Sequence, residues 1–598
     1  MAMTPQPPRP GQARPRRLQA CALWAGLLGF AAPGFAADPV QVQVEGLAGP
    51  VLDNVREALV LPRGLVRDGQ VDRAWLDRFV RQGEQRVRTA LEPFGYYQPQ
   101  VALAVEAAGA GRFRVRVRVV PGPPIVVATV RVTITGPGAA EAALARQAAA
   151  FPLRPGQVLL QPVYDLAKGA LLASAQDLGY LKAAFATHAI RLTPAELKAE
   201  LELVLATGPR FHFQDTRITG APDYPDRFLR RYLAYRPGDP FSYTKLAEAQ
   251  LNFTNSERFK EVLAVPELPE TGTAVPVRVQ LKPTASRSLR TGVGFGTDTG
   301  VRFSTQYRDL NLFGRGHELT PNLFLSEKLQ GLALGYVLPS PTDFRDSFSA
   351  QLTLQNEKLE AYHSRMAALE LARNHSFGPG TTGTAYVKLQ QEQFTTALND
   401  QTSRLVIPGV RYATDRFDNL MRPTRGYHLA LELRDIFQPR QPKVFLAQVL
   451  GEGSTVVPLG GPFSLQARLR FATTFAGHAQ PNDLPPSLRF FAGGSQSVRG
   501  YDYKALGPQD SLGKVVGGRH LLTASVEPEW AFLKQWGLSL FYDAGNAFDG
   551  WRPFTLHQGA GVGLHYYSAV GALNLALARQ MGVEKPRYAV HFSVGYAF

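Results

Sequence analysis

The chain has 598 residues, enough for about four folding units, and its 45% hydrophobic content excludes wholesale disorder. Charged residues make up 19%, below the roughly 25% of a typical soluble protein, and the net charge is +16. The single cysteine, Cys21, excludes an internal disulfide, and zinc fingers and iron–sulfur clusters need several.

Residues 1–37 read as an export signal. Arg9, Arg14, Arg16 and Arg17 precede an apolar run from Ala20 to Ala32, then Pro33-Gly34 and small residues up to a cleavage site at Ala36 or Ala37. The apolar run is too short to span a bilayer as a helix. A basic exported chain points to anionic membrane surfaces or exported partners, and no nucleic acid is expected. No later segment has 18 consecutive apolar residues, so membrane residence requires a closed β-barrel.

From residue 40 to about 283 the chain repeats itself at a period near 80. Phe94-Gly95-Tyr96-Tyr97 is answered 84 residues on by Leu178-Gly179-Tyr180-Leu181, Gly122-Pro123 by Gly208-Pro209, and Arg154-Pro155-Gly156 by Arg236-Pro237-Gly238. Each repeat reads as strand, helix, helix, strand, strand. In the first, Val40, Val42 and Val44 alternate with polar residues. Trp75, Leu76, Phe79, Val80, Val87 and Leu91 follow at helical spacing, and Val115, Val117 and Val119 alternate with arginines. The predicted units are 38–122, 123–209 and 210–285, each a small sheet with two helices on one face. The arginine ladder reads as a solvated outer face.

Beyond residue 286 the helical period disappears and alternating segments separated by turns take over. Trp536, Leu538, Leu540 and Tyr542 alternate with Gly537, Ser539, Phe541 and Asp543. The final Tyr588, Val590, Phe592, Val594, Tyr596 and Phe598 alternate with smaller or polar residues. Residues 286–598 are long enough for about 16 strands of an outer-membrane barrel. A soluble β-sandwich would explain the alternation but not the aromatic-rich final segment.

No catalytic residue, metal ligand or cofactor site is expected. The eleven histidines are scattered without H-E-x-x-H or a Cys/His cluster. Gly292-Val293-Gly294-Phe295-Gly296 and Gly559-Ala560-Gly561-Val562-Gly563 lack the spacing and the following helix of a phosphate loop. Gly494-Ser495-Gln496-Ser497 lacks the second glycine of a nucleophile elbow.

Two elements carry more information. Val498-Arg499-Gly500-Tyr501 closes a loop of small residues, and Phe541-x-Asp543-x-Gly545 follows some forty residues later. Parity places Tyr542 with Leu538 and Leu540 on the lipid side, so Phe541, Asp543 and Gly545 face the lumen. A loop arginine folded inward meets such a carboxylate with a bidentate fork that lysine cannot copy.

At these residues the chain resembles the BamA/TamA superfamily of outer-membrane assembly and translocation barrels. The three repeats resemble periplasmic POTRA domains, and their number favours the TamA type. Asp309-Leu310-Asn311-Leu312-Phe313-Gly314-Arg315-Gly316 and Pro423-Thr424-Arg425-Gly426-Tyr427 are further matches. Gly571-Ala572-Leu573-Asn574-Leu575-Ala576 departs from the expected Gly-Pro-x-Arg-x-Asp. The resemblance implies a non-enzymatic component that inserts unfolded outer-membrane proteins, autotransporters especially. Its expected partners are a TamB-like protein anchored in the inner membrane and outer-membrane lipid. A two-partner-secretion transporter or a passive channel with docking domains stays open. Gly292, Gly294 and Gly296 weaken the first barrel strand, expected over about 288–298. A lateral seam is therefore expected between these glycines and Val594, Tyr596 and Phe598.

Overall fold

The computed structural model describes residues 39–595 apart from 68–69, 110, 397–399, 420–421, 440–445, 477–483, 553 and 569–570. The signal segment 1–37 and the seam residues Tyr596 and Phe598 lie outside the described residues. None of the described helices is long and apolar enough to cross a membrane, which leaves β-barrels untouched.

Three small sheets come first, each with three strands in the order first, third, second. In the first, Val40–Glu45 pairs parallel with Phe113–Val120, which pairs antiparallel with Gln100–Ala107. Helix Arg73–Leu91 starts where the Asp72 carboxylate accepts the Trp75 N–H at 3.2 Å, an ordinary N-cap. Its Leu76, Phe79, Val87 and Leu91 are buried against Val115, Val117 and Val119. Trp75, read from spacing as part of this stripe, is half exposed instead. On the opposite face Arg116 sits between Glu45 at 3.4 Å and Glu106 at 3.0 Å, so the ladder is partly neutralised across strands.

The second sheet joins Val126–Thr135, Lys198–Ala206 and Ala184–Thr193, and the third joins His212–Thr219, Ala274–Pro283 and Phe259–Pro266. The third core is aromatic, with Phe213 stacked on Tyr235 at 3.8 Å between ring centres. The repeated sequence marks make repeated bonds. Gly95 O accepts the Ile125 N–H at 2.8 Å, and Gly179 O accepts the Phe211 N–H at 2.7 Å. Both glycines have left-handed backbones, φ +86° and +97°, which side chains seldom tolerate. Gly156 N–H likewise meets Val127 O, and Gly238 N–H meets Phe213 O, both at 2.8 Å. The period near 80 is therefore a period of joints.

Residues 287–595 form a closed barrel of sixteen antiparallel strands. Alternation decides which side chains meet lipid: Leu540 and Tyr542 are 61% and 46% exposed, while Phe541 and Asp543 between and beside them are 4% and 0% exposed. The first strand, Arg287–Gly296, pairs along its whole length with the second, from Arg287 opposite Asp309 to Gly296 opposite Gly300. It meets the last strand, Tyr588–Gly595, where Phe295 faces Val594 and Gly296 faces Ser593. Val594 thus stands opposite Phe295, which lies between the expected seam glycines Gly294 and Gly296.

The motif Asp309–Gly316 forms the hairpin between the second and third barrel strands and docks the third sheet unit. Arg308 bridges Glu257 at 2.8 Å and Glu318 at 2.7 Å, and the Asn311 amide donates to Asp223 O at 2.9 Å.

Candidate functional site: a loop locked inside the barrel

The segment between the eleventh strand, Phe463–Ala476, and the twelfth, His520–Leu533, carries the Val-Arg-Gly-Tyr element. Val498 is fully buried with Phe490, Ala492 and Leu506, so the loop brings a small apolar core of its own into the lumen. A glycine in the wall permits the close approach of the loop: at Gly559 a Cβ would lie 1.9 Å from Arg499 O. The glycines of the 559–563 string thus provide room for packing.

Arg499 grips the wall from three sides. Its Nε donates to Asp543 Oδ2 at 2.7 Å and its Nη2 to Asp543 Oδ1 at 2.9 Å, a bidentate fork. The backbone N–H of Arg499 adds a third bond to Asp543 Oδ2 at 3.0 Å. Nη1 reaches Glu527 Oε2 at 2.9 Å, and the guanidinium lies over the Phe541 ring at 3.5 Å. With all these groups buried, Arg499 is the cation that bonds both carboxylates directly, and Glu527 also meets His565 at 3.0 Å.

From Glu527 the polar chain continues. Oε1 accepts from Ser539 Oγ at 2.6 Å and lies 3.0 Å from His565 Nε2. His565 Nδ1 pairs with Asn574 Oδ1 at 2.8 Å, and Asn574 Nδ2 donates to Ser593 Oγ at 3.4 Å. Asn574, within the segment that departs from the family pattern, therefore links the lock to the last strand. Ala576 fills space against Phe541 there.

The same loop touches both borders of the seam. Ser495 donates to Asp298 Oδ2 from its N–H at 2.9 Å and its hydroxyl at 2.5 Å, and Asp298 sits in the turn after the first strand. Gly500 donates its N–H to His591 Nε2 of the last strand at 3.0 Å, and Gly500 O accepts from Gln580 Nε2 at 2.9 Å. His591 Nδ1 lies 3.8 Å from Asp298 Oδ1, so the borders also face each other directly.

The structure thus brings Arg499, Phe541 and Asp543 together, buries Val498, and holds Gly500 against the last strand. Tyr501 lies edge-on to His557 at 5.3 Å between ring centres, outside the ion cluster. Of the three first-strand glycines, Gly296 faces Ser593 of the last strand. Sequence reasoning missed Glu527, His565, His591, Asp298 and Ser495. The alternation Thr523, Ser525, Glu527, Glu529 marks one polar lumen face and offered a signal for Glu527. Among the described residues no group of three or more His, Cys, Asp or Glu is placed to hold a metal ion.

Residues 311–598 match the Omp85 superfamily domain. The barrel is an Omp85 domain. Residues 41–121 match the model described as POTRA domain TamA domain 1, so the first sheet unit is a POTRA domain. The outer membrane assembly factor BamA of Nitratidesulfovibrio vulgaris is 22% identical over 412 residues, covering 63% of this chain and 49% of that protein. BamA of Neisseria meningitidis serogroup B is 23% identical over 435 residues, covering 64% and 52%. The chain spans about half the length of these curated relatives. Among solved structures, BamA from Haemophilus ducreyi lacking POTRA domains 1–3 superposes with a TM-score of 0.61 at 15% identity. That match covers 79% of this chain and 100% of that one, a likeness of fold. The Omp85 barrel resides in the outer membrane of a Gram-negative cell, with the POTRA domain in the periplasm.

Proposed function

We propose that this chain is the outer-membrane component of a TamA-type translocation and assembly module. It helps insert or secrete β-barrel proteins such as autotransporters, and it acts with a TamB-like partner anchored in the inner membrane. The second and third sheet units act as further POTRA domains. The work is non-enzymatic: an incoming strand gains backbone hydrogen bonds by pairing with a barrel border, and that gain drives insertion. Support comes above all from the lumen loop, which holds the turn after the first strand through Ser495–Asp298 and the last strand through Gly500–His591, at the border where Phe295 faces Val594. The match of residues 41–121 to the TamA-type POTRA model favours this type over the others.

The experiment locks the seam. Facing residues of antiparallel strands lie within disulfide reach, and the sole native cysteine, Cys21, falls in the predicted signal segment. Phe295→Cys with Val594→Cys should form a bond that stops assembly of autotransporter substrates and releases it on reduction. Undiminished assembly with the seam covalently closed would overturn the reading.

A further inference from the structure

The lumen loop leaves a cavity of about 720 Å³ between itself and the barrel wall, a volume that suits a small molecule. Six cations line it: Arg302, Lys388, Arg434 and Arg470 from the wall, and Arg489 and Lys504 from the loop. Alternation fixes the direction of the four wall side chains. Val301 and Phe303, Val387 and Leu389, Leu433, and Leu469 are all exposed towards lipid, so the cations next to them in sequence point inward.

Among the described residues two carboxylates share this lining, and both are engaged. Asp298 accepts the two bonds from Ser495, while Glu357 meets Lys504 Nζ at 2.7 Å and the Tyr362 hydroxyl at 2.9 Å. Arg434 donates to Gln448 Oε1 at 2.8 and 2.6 Å and stands 3.4 Å from Glu432. Arg470, half exposed to the lumen, stands 3.5 Å from Glu452. Arg302 finds a neutral acceptor, the Thr299 hydroxyl. Lys388 makes no hydrogen bond or ion pair among the described residues. Glu370 faces it from the next strand, but that carboxylate is shared with Arg411 at 3.7 Å.

A narrow space between low-dielectric walls focuses the field of its lining charges, and an excess of one sign concentrates ions of the other. Guanidinium forks match phosphate oxygens, and an ammonium binds phosphate as a point charge. We infer that this lumen cavity binds a phosphorylated small molecule with two or more negative charges, held by Lys388, Arg302 and Arg470. Loop and wall line the site together, so the bound anion ties the loop to the wall. The site is independent of which clients the barrel serves.

Isothermal titration calorimetry of the full chain in neutral detergent tests this, with inorganic pyrophosphate as the probe and ionic strength held constant. Pyrophosphate should bind at one molecule per chain and slow proteolysis between residues 490 and 518. Lys388→Gln should weaken binding about tenfold, as expected for losing one charge-assisted bond, and Lys388→Arg should retain it. Arg470→Gln should weaken it less, since Glu452 already offsets part of that charge. Neither side chain belongs to the Arg499 lock, and Arg470 is half exposed, so its variant decides the matter if Lys388→Gln fails to fold. The same protection from sodium chloride at matched ionic strength would reduce the effect to screening and overturn the site. So would the absence of saturable binding, or binding unchanged in both glutamine variants with the barrel still heat-modifiable.

Discussion

Gly500 donates its backbone N–H to His591 Nε2 at 3.0 Å, joining the lumen loop to the last barrel strand two residues from Ser593 at the seam. Five residues earlier the same loop holds Asp298, beside the first strand, through Ser495. The loop is therefore a strap across the border where the barrel closes. The lock at Arg499 keeps that strap in place.

Removing Arg499 leaves the buried Asp543 and Glu527 without the cation that bonds both of them directly. Arg499→Ala should destabilise the folded barrel by about 3–5 kcal/mol, read as a lower heat-modification temperature on gels. Assembly of autotransporter substrates should fall further than the amount of inserted barrel. Arg499→Lys keeps the charge but loses the fork, and should recover only part of the loss. Equal loss of barrel and activity would make the cluster purely structural.

Gly559→Ala tests the packing of the loop against the wall. A Cβ 1.9 Å from Arg499 O cannot be accommodated without moving backbone. The loop should be displaced from the lumen, seen as new protease cleavage between residues 490 and 518 in intact cells. A loop still protected in this variant contradicts the close approach described.

Asp298→Ala and His591→Ala each remove one border contact and leave the Arg499 cluster intact. Either should raise amide exchange at Phe295 and Val594 by about tenfold or more, given a loss of one to two kcal/mol in the opening free energy. Exchange at Asp543, inside the lock, should not change. Unaltered exchange at the seam argues that the strap carries no closing force.

In the periplasm, Asp177 accepts from Ser242 Oγ at 2.7 Å and from the Thr244 N–H at 2.8 Å, at the start of helix Tyr243–Asn255. Burial pushes its pKa up, but the Thr244 and Ser242 hydrogen bonds outweigh that and hold it below the usual carboxylate value. A depressed pKa means the contact stabilises at neutral pH and is lost as the pH falls through and below the ordinary carboxylate range. Amide exchange at Lys245, corrected for the intrinsic pH dependence, should accelerate on acidification towards pH 3. Asp177→Asn should abolish that acceleration. An identical acid response in the variant removes Asp177 as its origin.

Much of this architecture was legible because period is a strong signal. The strand alternation at residues 538–543 fixed which side chains meet lipid, and the bidentate geometry of Arg499 follows from the parity of Asp543. The repeats were legible because Gly95 and Gly179 occupy the same backbone joint and cannot drift. The strap was not. His591, Asp298 and Ser495 are 197 residues apart at the widest within one hydrogen-bond pair, and ring closure alone brings them together.

The strap also acts as a ruler. Ser495 and Gly500 are separated by five residues, whose backbone spans at most about 17 Å when pulled straight. Neighbouring strands are spaced about 4.8 Å, so the two borders can part by roughly two guest strands while both fastenings hold. A wider opening must unclip one of them. The Ser495–Asp298 end gives way, since the Gly500 end is backed by Arg499 and its two carboxylates.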